Sequence, residues 1–242
     1  MSTNKPLTII ALFWIGFAAP ALAQQNQDEL KQRVLTQAQS ISADDYAFTR
    51  LVRTEQTSVG GKIEKNVMVE KFDPTKPVGE RWILVSVDGA PPSADALNRF
   101  RKESAKRRIV PGYHRLANYF GAPAAASTDA RGRTQFRFPA LPKGSVIALD
   151  TDVSHNSTAE ASVSEANGTP FVEQVRITVK PMRLKLVMKL DRFESTAHYR
   201  IGPESKPLLM KQTSDMSGSG MGMHGKMHTE VTYSDYRPVR NR

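Results

Sequence analysis

The sequence predicts a mainly β protein with a few helices, built around a large antiparallel sheet that is curved or paired with a second sheet. Short segments rich in β-branched and aromatic residues follow one another along most of the chain, with turn residues between them. In the second half, apolar and polar residues alternate, which gives each strand one apolar face. Only about three segments have helical spacing, so the sheet must curl, pair with a second sheet or keep an apolar face for a ligand.

Residues 1–23 have the order of an export signal. Lys5 precedes an apolar run over residues 7–19, and Ala21-Leu22-Ala23 places small residues where a signal peptidase cleaves. The run is shorter than the roughly 20 apolar residues that span a bilayer, which argues against an uncleaved anchor. We therefore expect cleavage after Ala23, a periplasmic location and a single mature domain over residues 24–242.

Composition narrows the classes of function. The chain has no cysteine, which excludes a disulfide framework and thiol chemistry. Its formal charge of +10 falls to +9 when Lys5 leaves with the signal, and clusters such as Lys106-Arg107-Arg108 can attract an anionic surface. For an exported protein that surface is an anionic membrane, and we expect no nucleic acid partner. A simply solvated basic face is the alternative.

The first half of the chain predicts three helices and three strands. A first helix follows from apolar residues at helical spacing between Leu30 and Ile41. Ser93 is a good N-cap for a second helix, and a third is expected at Tyr113–Phe120. The alanine- and proline-rich residues Gly121–Ser127 are expected to form a loop. The strands are predicted at Phe48–Gln56, Ile63–Lys71 and Arg81–Val87.

The second half predicts an antiparallel meander with one apolar face and one wet face. Asn167-Gly168 is a tight-turn signal between the first two alternating segments. The strands are predicted at residues 159–164, 171–179, 184–190, 193–201, 208–213 and 229–237.

This order of elements resembles a known family. Phe48-Thr49-Arg50 in a strand, Arg81-Trp82 entering another, and the ending Tyr233-Ser234-Asp235-Tyr236-Arg237 are similar to the LolA/LolB-like superfamily, the periplasmic outer-membrane lipoprotein carriers of Gram-negative bacteria. The resemblance covers most of the mature chain. It implies an unclosed β-barrel whose concave apolar face is covered by helices and receives acyl chains. Relatives serve in lipoprotein sorting and also as lipid binders, sensors and regulators.

No group of residues points to catalysis. The chain lacks a cysteine nucleophile and a serine in a Gly-x-Ser-x-Gly elbow, and His114, His155 and His198 are isolated from one another in sequence. We therefore expect neither an enzyme nor a cofactor.

Residues 216–228 are unusual, because methionine and histidine are concentrated among glycine and serine. Thioether and imidazole groups in a flexible loop suit a soft ion such as Cu(I). The alternative is a mobile hairpin tip whose methionines make adaptable apolar contacts with a membrane or a partner. We expect no bound metal; the ligands of the alternative metal site are Met221, Met223, His224, Met227 and His228.

The function that these observations favour is binding of a lipid, an acyl chain or an acylated protein, without chemistry. The rival interpretations are a periplasmic copper-binding protein and a regulatory module that binds a protein partner. The predicted apolar wall of the pocket is Val175, Ile177, Val179, Leu184, Leu186, Met188 and Leu190. The predicted lid is Leu97, Phe100, Tyr113, Leu116 and Phe120.

Overall fold

The computed structural model describes residues 18–58, 60–107, 109–185, 188–220 and 223–239. The apolar run of the predicted export signal lies mostly outside these ranges, so cleavage of the signal stays a prediction. Among the described helices, none combines the length and the apolar composition that crossing a membrane requires.

Thirteen strands and three α-helices form in the described residues. The helices are α1 (Ala18–Gln39), α2 (Ala94–Ser104) and α3 (Leu116–Phe120), with short 3-10 turns at Val78–Glu80, Tyr113–Arg115, Ser154–Asn156 and Pro203–Ser205. The strands are β1 (Tyr46–Thr57), β2 (Ile63–Phe72), β3 (Trp82–Val87), β4 (Ala125–Thr128), β5 (Thr134–Phe138), β6 (Ile147–Ala148), β7 (Thr151–Asp152), β8 (Ser157–Ala166), β9 (Thr169–Val179), β10 (Met182–Lys185), β11 (Met188–Ile201), β12 (Pro207–Gly220) and β13 (Met223–Pro238).

Eleven of these strands form one antiparallel sheet in the order β3-β2-β1-β13-β12-β11-β9-β8-β5-β4, with β10 paired to β11. The last strand, β13, lies between β1 and β12, so it joins the N-terminal strands to the long meander. Strands β3 and β4 end the order without pairing with each other, and the sheet is therefore open. This confirms the predicted class: mainly antiparallel β, a few helices and an unclosed sheet.

The helices cover one face of the sheet, which we call the inner face. Helix α1 packs against α3 and β9, and its Val34 and Ala38 are completely buried. Phe120 of α3 meets Phe136 and Phe138 of β5 edge to face, with ring centroids 5.6 and 5.1 Å apart. Burial of these rings is what holds the helices on the sheet.

The opposite, outer face carries cross-strand ion pairs. Arg176 of β9 lies 3.4 Å from Glu194 of β11, and Lys211 of β12 lies 2.6 Å from Glu230 of β13. Exposed pairs of this kind contribute only about 0–1 kcal/mol each. They make the outer face polar, and the core on the inner face supplies the stability.

Most of the predicted elements are present, with one loop misassigned. The N-cap is confirmed, because the Ser93 hydroxyl accepts a hydrogen bond from the Ala96 amide at 3.2 Å. Asn167 and Gly168 turn between β8 and β9 with φ of 52° and 75°. The prediction that Gly121–Ser127 is a loop is wrong in its second part, because β4 starts at Ala125 and pairs with β5.

The predicted single strand over residues 184–190 is also wrong. Lys185 pairs with Met188 and Met182 with Leu190, so the chain reverses and the segment is shared between β10 and β11. Alternation of apolar and polar residues is the same whether a strand continues or folds back on itself. Because no glycine, proline or asparagine marks this turn, the sequence pattern does not reveal it.

Candidate binding site on the inner face

A first cavity of about 370 Å³ lies between the sheet and the two segments 109–119 and 145–147. Its apolar side is formed by Val175 and Ile177 of β9 with residues from β11, β12 and β13. These positions face inward because side chains alternate between the two faces of a strand. The further apolar lining residues from those three strands are Phe193, Ala197, Leu209 and Val231.

The sheet floor of this cavity also has polar side chains. Gln212 donates to the Ser195 hydroxyl at 3.1 Å, and that hydroxyl donates to the Thr213 carbonyl at 3.1 Å. Ser214 and Thr229, paired across β12 and β13, face the same space. The floor is thus an apolar surface crossed by a polar row, in which Ser195 accepts from Gln212 and donates to the backbone.

One end of the first cavity is cationic. Glu70 of β2 is buried, with its side chain 1% exposed, and its Oε2 lies 2.6 Å from Arg50 of β1 and 2.7 Å from Arg107. The Arg50 guanidinium also stacks over Trp82, 4.1 Å from the ring centre. Two arginines share one carboxylate here, so this buried group keeps a net positive charge beside the cavity, which Arg50 lines.

A second arginine, Arg115, lines the same cavity from the 3-10 turn before α3. Its Nη2 donates to the Ser145 carbonyl at 2.9 Å, and Tyr119 donates to the same oxygen at 3.4 Å. Burial raises the pKa of Tyr119 and places that of Tyr199 well above its usual value. Burial also raises the pKa of Tyr233 to about 12, so all three phenols facing the cavity stay neutral.

A second cavity of about 560 Å³ lies further along the same strands, towards the tip of the β12–β13 hairpin. Its inward positions include Gly218, Gly220 and Gly225, where no side chain fills the space above the sheet. Apolar and polar side chains surround this space. The apolar ones are Leu149, Leu184, Met188, Leu190, Met216 and Met227. The polar residues at the cavity are Gln56, Lys189, Ser217, Ser219 and Lys226.

The two cavities occupy successive inward positions, and we call them together the inner trough. On β12, Ser214 belongs to the first cavity and Met216 to the second; on β13, Thr229 and Met227 divide in the same way. At roughly 3.3 Å per residue, the eight steps from Tyr233 to Gly225 measure about 26 Å. The trough is cationic at one end and apolar at the other.

Comparison with known proteins finds solved structures that resemble this chain. The chain is similar to a LolA superfamily protein from Nitrosomonas europaea. The two share 11% sequence identity and superimpose with a TM-score of 0.37, over 88% of this chain and 94% of the other. No protein-family model and no curated protein matches the sequence. The fold class stands on the sheet order described above, and the lipid-carrier interpretation remains a proposal.

The predicted wall residues that the structure describes are divided among the first cavity, the second cavity and the core. Val175 and Ile177 line the first cavity, whereas Leu184, Met188 and Leu190 line the second. Val179 is buried in the core, 2% exposed. Leu186 lies outside the described residues.

The predicted lid residues lie mainly in the core. Phe100, Tyr113, Leu116 and Phe120 are all buried, and Leu97 is partly buried against them. The Tyr113 hydroxyl donates to Gln37 at 2.8 Å and accepts from the Val172 amide at 2.9 Å, so it fastens the 3-10 turn to α1 and β9. The cavity is instead lined from this side by Ile109, Pro111, Gly112, Arg115 and Tyr119.

The methionine- and histidine-rich segment is a regular hairpin in the described residues, which corrects the expectation of a flexible loop. Met216 pairs with Met227 on the inner face, and the next pair, Asp215 with His228, faces outward. His228 Nδ1 lies 2.8 Å from Asp215 Oδ1, and His224 also belongs to the outward set.

Period-two alternation therefore puts the thioether of Met227 and the two imidazoles on opposite faces of the sheet, and they do not converge on one ion. Met221 lies outside the described residues, and the backbone of Met223 pairs with that of Gly220. Within the described chain there is also no cluster of three carboxylate or histidine groups that suits a metal.

Proposed function

We propose that this protein binds the acyl chain of a lipid or acylated protein in the inner trough, and carries or senses it without chemical change. The observation that supports this most is the second cavity. About 560 Å³ of space lies over the glycines of β12 and β13, among leucine and methionine side chains. A packed core normally fills such space, and an unfilled apolar cavity of this size suits an apolar ligand.

Methionine supports the same interpretation. Met188, Met216 and Met227 surround the cavity, and the unbranched thioether side chain adapts to ligands of different shape. Met188 remains 36% exposed, so the cavity is open on that side. A site of this kind accepts an acyl chain without demanding one exact chain length.

The test is to fill the cavity from its floor. A Cβ at Gly225 meets only the Thr57 carbonyl, at 3.6 Å, so Gly225→Leu fits the backbone and its side chain enters the cavity. We expect this variant to bind N-phenyl-1-naphthylamine, a neutral fluorescent apolar probe, at least about tenfold more weakly than the wild type, because the burial of a few methylene groups is lost.

The matched control is His224→Leu, which adds the same side chain at the neighbouring, outward position. We expect this variant to bind the probe like the wild type. If the wild type binds no apolar probe, or if both leucine variants weaken binding equally, the cavity is not the ligand site and the proposed function is wrong.

A further inference from the structure

The two arginines that line the first cavity, Arg50 and Arg115, differ in whether an acidic side chain neutralises their charge. No acidic side chain lines this cavity in the described residues. Arg50 is compensated by its contact with Glu70, whereas Arg115 has no ion pair among the described residues and donates to the Ser145 carbonyl. A half-buried guanidinium without a counter-ion is a favourable place for an anion, since desolvation has already weakened its interaction with water.

Ser145 gives an independent indication of a ligand. The residue lines the cavity and is 2% exposed, and its Oγ is buried without a hydrogen-bond partner among the described residues. A buried hydroxyl without a partner is destabilising. The carbonyl oxygen of the same residue accepts from the Arg115 guanidinium and from the neutral hydroxyl of Tyr119, so two hydrogen-bond donors lie beside Ser145.

We propose that Arg115 and Ser145 bind the oxyanion of an amphiphile, either a fatty-acid carboxylate or a lipid phosphate, while its tail follows the inner trough. This inference rests on the proposed function and names its ligand class. The trough of about 26 Å, with its cationic end at the first cavity and its apolar end at the second, has the polarity of such a molecule. Charge-assisted hydrogen bonds give the headgroup its orientation.

The experiment compares headgroups on one tail length. Displacement of bound N-phenyl-1-naphthylamine at pH 7 is measured with palmitate, with palmitoyl lysophosphatidylglycerol and with neutral hexadecanol. We expect at least one of the two anions to displace the probe about tenfold more effectively than the alcohol, because a charge-assisted hydrogen bond contributes that much. The stronger of the two anions identifies a carboxylate or a phosphate ligand.

Three variants test the residues. Arg115→Gln should remove the preference for the anion, measured as the ratio of displacement by each anion to displacement by hexadecanol, and Arg115→Lys should retain part of it. Arg176→Gln removes a cation from the outer face, where the side chain is 51% exposed, and should have no effect. The headgroup comparison uses the wild type alone. It therefore tests whether the protein prefers an anionic headgroup even if Arg115→Gln does not fold.

The outcomes separate the two proposals. Probe binding with equal displacement by acid, lysophospholipid and alcohol overturns the headgroup site and leaves the proposed function intact. An anion preference that persists in Arg115→Gln also overturns it. Failure of the wild type to bind the probe or any of the three amphiphiles overturns both proposals.

Discussion

At the scale of single residues, Glu70 is the one charged side chain among the buried residues of the described chain. Its carboxylate forms ion pairs with Arg50 of the neighbouring strand and with Arg107 of the segment after α2. The Trp82 ring packs against Arg50. Arg107 also lies 5.0 Å from the Phe100 ring centre. This contact fastens the segment after α2 to the sheet beside the first cavity. In the sequence Glu70 is one charged residue in a strand, and nothing there shows that it is buried.

Replacing Glu70 by glutamine should strongly destabilise the fold. The substitution removes the only negative charge between two guanidinium groups, and breaking a buried ion pair in this way costs about 3 kcal/mol or more. Chemical denaturation measures the change in the free energy of unfolding. Glu194→Gln, on the outer face beside the exposed Arg176 and Arg192, should cost less than about 1 kcal/mol. Equal losses in the two variants would mean that the Glu70 cluster is not a buried ion pair.

At the scale of elements, the β12–β13 hairpin explains the unusual composition of its sequence. Ser217 and Ser219 face outward, while Gly218 and Gly220 face inward, so the serine–glycine alternation marks the floor of the second cavity. Position 218 requires glycine for a further reason, because a Cβ there would lie 2.6 Å from the Lys189 carbonyl oxygen. That close approach occurs at a bulge in β11, where the register with β12 shifts between Leu190 and Arg192.

Two alanine substitutions in this hairpin should therefore differ. Gly218→Ala forces a Cβ against backbone that cannot move cheaply, and we expect a loss of about 2 kcal/mol in the free energy of unfolding. In Gly225→Ala the nearest atom is 3.6 Å away, an ordinary contact, and we expect a change of less than about 1 kcal/mol. Urea denaturation of the two variants checks the prediction. A neutral Gly218→Ala would contradict the close packing of β11 on β12.

At the scale of the whole molecule, the predicted export signal and the described fold are compatible. Helix α1 spans Ala18–Gln39, and its Leu30, Val34 and Ala38 contact the core. Cleavage after Ala23 would therefore leave these contacts in place.

We predict that the mature protein begins at Gln24 and is released from cells by osmotic shock. The reason is the order of Lys5, the apolar run and Ala21-Leu22-Ala23. N-terminal sequencing and intact mass of the released fraction measure the cleavage site. Recovery of the protein with Met1 intact in the cytoplasmic fraction would contradict the prediction, and an Ala23→Arg variant, which blocks cleavage, provides the control.

The sequence by itself determined the fold class, the Ser93 cap, the Asn167-Gly168 turn and, in whole or in part, eight of the thirteen strands. These features depend on local periodicity and turn chemistry, which are visible in neighbouring residues. The turn between β10 and β11, the burial of Glu70 and the two cavities were decided only by the tertiary structure. They depend on which strands are neighbours in the sheet. The alternation of residues along one strand does not show which side chains the neighbouring strand places beside it. The same apolar face therefore supplies filled core at Val179 and open cavity at Met188.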